Sequence, residues 1–117
     1  AETYLLLAEA YLRQDMPDKA ADAVNEVRRR AKVSDVSDEE MTMDFLLDER
    51  IRELYGEESR RFTLIRTGKL LERVRKYNPE ARDLIQDFHV LWPIPQAIRD
   101  ANVGNFPQNP GYEGYEG

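Results

Sequence analysis

The chain has 117 residues, of which 34% are charged with an acidic excess of six; this suits one soluble domain of modest core and excludes the basic footprint a nucleic-acid partner would need. There is no cysteine, which excludes a disulfide frame, a thiolate metal site and a thiol nucleophile. No apolar run reaches the length of a membrane span and no signal peptide opens the chain, and since Ala1 already stands inside a helical pattern, a longer parent protein is expected, with any targeting signal upstream.

In the first segment Tyr4, Leu7, Ala8 and Tyr11 recur at i, i+3, i+4 and i+7. Leu5 and Leu12 broaden that stripe, while Glu2, Glu9 and Arg13 share the polar side. The pattern predicts a helix buried over most of its circumference. Residues 14–16 break it, and Pro17 suits the first position of a second helix. Its predicted face is Pro17, Ala20, Ala21, Val24, Val27 and Ala31. Alanines at the contact let two helices approach closely, so residues 1–31 read as an antiparallel hairpin similar in pattern to a tetratricopeptide unit. One such unit does not make a stable array, so the hairpin must lean on something else. The run from Leu5 to Leu12 is too uniformly apolar for one partner helix to cover, which favours self-association. Arg28, Arg29 and Arg30 point in three directions and are expected to favour the helix C-terminus rather than to form an anion site.

Residues 37–77 are expected to hold the central helices. Ser37 and Glu40 have capping-box spacing, so helix should resume near Asp38 and cover 43–55. Met43, Leu47, Ile51, Leu54 and Tyr55 mark its predicted core face, with the charges opposite and Asp48 spaced to pair with Arg52. Gly56 ends or kinks it. A run at 60–67 should turn Phe62 and Ile65 inward and stop at Gly68. Leu70, Leu71, Val74 and Tyr77 carry one more face, which Asn78 and Pro79 end.

Residues 78–117 read as a proline-rich strap. The apolar run 88–92 suits an extended segment, Pro93 and Pro95 lock the backbone, and 96–101 make one or two helical turns. From Asn102 an irregular coil is expected to lie over the helices, its last few residues frayed. The fold class is therefore all-α: a tetratricopeptide-like hairpin, further helices and an irregular Pro/Gly-rich C-terminal segment, with 1–117 as a single domain.

Four blocks then carry a family resemblance: YLLLAEAYLR with NEVRRRA, LLDERIRELYGEESRRF, LIRTGKL, and LWPIPQ with QNPGY. In this order they resemble the C-terminal part of the SusD/RagB family of outer-membrane lipoproteins. The family pattern at the second block runs closer to GEGHRWFDLIR, and here Glu58, Ser59, Arg61 and Thr63 stand in place of its glycine, histidine, tryptophan and aspartate. The resemblance implies a glycan-capture protein that is not an enzyme and uses no cofactor. It would be anchored by an N-terminal lipid on the cell-surface face of the outer membrane, over a SusC-like TonB-dependent transporter. Such proteins hold oligosaccharide by stacking aromatics on sugar faces, mainly from segments absent here, so this chain is expected to supply scaffold.

Trp92, Tyr112 and Tyr115 have the chemistry for sugar stacking. Trp92, between Leu91 and Pro93, is expected in the core, while Tyr112 and Tyr115 on the tail could face solvent, a partner or a sugar. Paired carboxylates between Glu49 and Glu58 could in principle serve glycoside hydrolysis, but carboxylates at helical spacing are ordinary on a charged helix face. His89, the sole histidine, reads as a packed residue, and no metal site is expected. The alternative function is a free-standing tetratricopeptide-like interaction module; LWPIPQ and QNPGY, which have no role in a helical repeat, separate the two.

Overall fold

The computed structural model describes residues 1–116 and contains, among them, six α-helices, one 3-10 turn and no strand. Gly117, the last of the residues expected to fray, lies outside the described residues. The all-α expectation holds. The chain condenses into two compact units, residues 1–59 and a second from Arg60 onward.

In the first unit α1 (Glu2–Leu12) and α2 (Pro17–Arg30) form the hairpin, and α1 also lies against α3 (Met43–Glu53). Leu5, Ala8, Ala20, Ala21, Val24 and Val27 make the hairpin seam, joined by Leu46 and Leu54. The seam is narrow because alanines draw the backbones together. Tyr4, Leu6 and Leu7, beside it, stay exposed, and Glu9, read as polar-side, is buried and paired with Arg13 at 3.1 Å. The loop after α2 is held from inside. The Asn25 carboxamide donates to the Val36 carbonyl at 3.0 Å and accepts from the Val36 N–H at 2.8 Å, with both residues buried.

Ser37 and Glu40 make their reciprocal bonds, and the Ser37 N–H and then its hydroxyl hold the Glu40 carboxyl below the usual carboxylate range. Yet the pair closes a turn, not a helix. The chain first buries Met41 in the core, and α3 starts at Met43, where the Thr42 hydroxyl caps the Phe45 N–H at 3.2 Å.

The face of α3 also differs from the periodicity. Leu46, Leu47 and Leu54 are buried, whereas Ile51 is exposed and Tyr55 is 85% exposed. Two charged residues take the vacated inward positions. Arg50 is 1% exposed, the largest fully buried side chain, and its Nε and Nη2 contact Glu58 Oε1 at 2.8 and 2.7 Å. Glu49 receives Arg28 at 2.8 Å and Arg52 at 2.7 Å, so Arg52 turns to Glu49 rather than to the i, i+4 partner expected for it. Gly56, at φ +78°, provides the reversal that returns Glu58 to Arg50. Arg29 reaches Asp35 and Arg30 reaches Glu53, so the arginine triplet is used in ion pairs.

The second unit contains α4 (Arg60–Arg66), α5 (Leu70–Tyr77), a 3-10 turn (Asp87–Val90) and α6 (Gln96–Asp100). Gly68, at φ +70°, separates α4 from α5. Thr63 and Leu64 point inward on α4 while Phe62, expected inward, is 64% exposed. A seven-residue helix offers too few turns for its apolar spacing to decide which side is covered. The apolar run expected to be extended instead coils at 87–90. Gln86 and His89 form a capping box there, with the Gln86 N–H on His89 Nδ1 at 2.8 Å.

Removing Glu58 leaves the buried Arg50 guanidinium only the exposed Glu2 carboxylate, 3.9 Å from Nη2. Glu58→Ala should lower stability by about 3–5 kcal/mol, whereas Arg50→Met with Glu58→Met should lose far less. Urea unfolding followed by far-UV circular dichroism measures both, and a double variant weaker than Glu58→Ala would refute the assignment.

Candidate functional site

In the second unit residues 91–95 lie outside helix and sheet and include two prolines. Pro93 and Pro95 bring no N–H, and the carbonyls around them need donors from elsewhere. Side chains of residues 108–112 supply these donors. Tyr112 Oη donates to the Leu91 carbonyl at 2.8 Å, and Asn109 Nδ2 to the Trp92 carbonyl at 2.8 Å. Gln108, 7% exposed, accepts from the Ile94 N–H at 2.7 Å and donates to the Ile94 carbonyl at 3.0 Å. This is the physical link between LWPIPQ and QNPGY: one motif presents a bare backbone and the other clamps it.

The clamp needs a tight turn at Gly111, where φ is +86° and an added Cβ would stand 2.2 Å from the Phe88 ring. Tyr112 then meets Phe88 edge-on, with centroids 5.0 Å apart.

Held this way, the Trp92 indole points outward and is 59% exposed. This corrects the expectation that it is core. Apolar neighbours made burial the natural reading, but the clamped backbone fixes which side the ring takes. The Arg61 guanidinium stands 4.2 Å from the ring centroid and donates to the His89 carbonyl. Beside this pair runs an open groove of about 510 Å³ lined by Arg61, Leu84, Ile85, His89, Trp92 and Tyr112 among others. Trp92 and Tyr112 are thus brought together. Tyr115 is half-exposed and does not line the groove. His89 packs on Phe88 at 4.3 Å with Nδ1 engaged, as expected of a packed histidine.

In the acidic run of the first unit Glu49 pairs with Arg28 and Arg52, Glu53 with Arg30, and Glu58 with Arg50, while Glu57 is exposed and outside these pairs. Among the described residues no three metal-ligating side chains converge, and no helix is long and apolar enough to cross a membrane.

The sequence profile of the SusD family matches residues 1–112. The chain belongs to the SusD family. Its SusD relatives include SusD-like protein P25 of Formosa agariphila, 35% identical over 106 residues that make up 81% of this chain. The starch-binding protein SusD of Bacteroides thetaiotaomicron is 34% identical over 97% of it, and SusD-like protein P38 of Formosa agariphila is 31% identical over 80%. The chain spans 20% of the length of each of these SusD proteins. No solved structure matches it significantly.

Sequence reasoning missed Arg61 as Trp92's partner and the clamp by Gln108, Asn109 and Tyr112. The signal available was the co-occurrence of a double-proline segment with a later run of amide side chains. Gly111→Ala combines a left-handed backbone with a clash on Phe88 and should cost about 1–3 kcal/mol. Trp92 is the sole tryptophan, so its emission reports the loss directly. An unchanged unfolding midpoint by that probe would mean the turn is not needed.

Proposed function

We propose that this chain is the C-terminal scaffold portion of an outer-membrane lipoprotein that captures oligosaccharide for uptake through a SusC-like TonB-dependent transporter. In this reading residues 1–117 act as one domain, with a hairpin at 1–31, central helices at 37–77 and a strap at 78–117. The parent is held by an N-terminal lipid at the cell surface and performs no catalysis. The observation that carries the reading is identity of 34% to a starch-binding protein over 97% of the chain.

The exposed Tyr4, Leu6 and Leu7 on α1 support self-association of the isolated chain. Sedimentation over a concentration series should show mass rising with concentration, and a monomer at every concentration would exclude it. For the principal reading, the natural parent protein should be retarded in native gels containing at least one soluble glycan of a panel and release no reducing ends from any. Hydrolysis of a panel member, or mobility indifferent to all of them, would reverse the conclusion.

A further inference from the structure

We propose that the groove beside Trp92 is a subsite for an acidic sugar residue, the indole carrying the ring and Arg61 meeting its carboxylate or sulfate ester. The inference rests on the glycan-capture reading and goes past it in assigning a place and a charge.

The stacking half follows from how Trp92 is held. An exposed indole is costly to leave in water, and here three side chains of the strap fix the backbone that aims it outward. A ring immobilised before its ligand arrives loses little conformational entropy on binding. Leu84 and Ile85 add an apolar wall suited to the C–H face of a pyranose. The volume, about 510 Å³, falls within the roughly 300–1,000 Å³ of small-ligand sites.

The charge half follows from Arg61. Its guanidinium contacts the Trp92 ring and the His89 carbonyl and meets no carboxylate, and its Nε is buried without an acceptor. A partly buried cation left in this state is unfavourable until an anion neutralises it. The groove lining also holds no aspartate or glutamate, although the chain carries 23 acidic residues against 17 lysines and arginines. A neutral sugar would use the indole and leave the cation uncompensated. An acidic one satisfies both.

The single tryptophan makes the test direct. The whole 117-residue chain is titrated with trigalacturonate, a sulfated trisaccharide and maltotriose, following Trp92 emission. At least one acidic ligand should give a saturable change with affinity about tenfold above maltotriose, the scale of one charge-assisted hydrogen bond. Which of the two does so distinguishes carboxylate from sulfate. Arg61→Gln should abolish the difference, and Trp92→Ala, followed by calorimetry, should abolish binding, both with unchanged far-UV circular dichroism. Equal affinity for maltotriose, a preference that survives Arg61→Gln, or emission unmoved by all three ligands overturns the subsite. If emission stays unmoved while the parent protein is still retarded by glycans, the subsite fails and glycan capture stands. Failure of both assays removes both.

Discussion

A guanidinium taken out of water must be met by acceptors already in place, because its charge cannot be removed by losing a proton at ordinary pH. Arg50 imposes that condition on the first unit. Its position on α3 faces the core, so residues 54–58 must reverse direction and bring Glu58 back to it. Gly56 permits the reversal, Leu54 anchors its start, and the Glu58 N–H closes it on the Leu54 carbonyl at 3.0 Å. The apolar seam supplies most of the burial. The ion pair determines where the chain goes after α3 ends.

A second constraint is shared by both units. Their longer connections lie outside regular structure, and hydrogen bonds from carboxamides help to fix them. Asn25 holds both backbone groups of Val36, and Gln108 holds both backbone groups of Ile94. In each case one side chain does the work of a neighbouring strand, satisfying a donor and an acceptor on one residue. A buried amide so placed is specific in a way a leucine is not, since a shift of register by one residue would leave all four polar groups unpaired. This explains how segments without regular structure hold defined positions beside short helices.

Legibility in the sequence followed the same division. The hairpin was readable because alanines and valines recur at helical spacing on α2 and because proline marks its start. The ends at Gly56 and Gly68 were readable because the left-handed conformation there favours glycine. The core face of α3 was not, since apolar periodicity treats Arg50 and Glu49 as surface and cannot register that each has a partner positioned by tertiary folding. Phe62 and Trp92 failed for a related reason: hydrophobicity says that burial is favourable, not that the fold provides a cover. The Ser37–Glu40 box was correct as chemistry and wrong as a helix start, because its bonds are as compatible with a turn as with a helix. At the candidate site the motifs were visible as motifs, but their coupling depends on contacts between residues 91–94 and 108–112, which no local pattern encodes.

Arg61 is held differently from the arginines of the first unit. In the first unit Arg13, Arg28, Arg29, Arg30, Arg50 and Arg52 each meet a carboxylate, whether exposed or buried. Arg61 meets none, and neither does Arg99 of the same unit, but the Arg99 guanidinium is satisfied by the Phe106 and Gly114 carbonyls and the Gln96 side chain, whereas Arg61 keeps an Nε without an acceptor. Stacking on Trp92 partly offsets this, since the ring face attracts a guanidinium. It does not neutralise the charge, and it leaves the indole more than half exposed. A fold that needed Arg61 only to cover the ring would have gained more from an apolar side chain, which carries no desolvation penalty. Retaining both a charge and an open aromatic face in one groove fits a surface shaped for a ligand better than one shaped for packing.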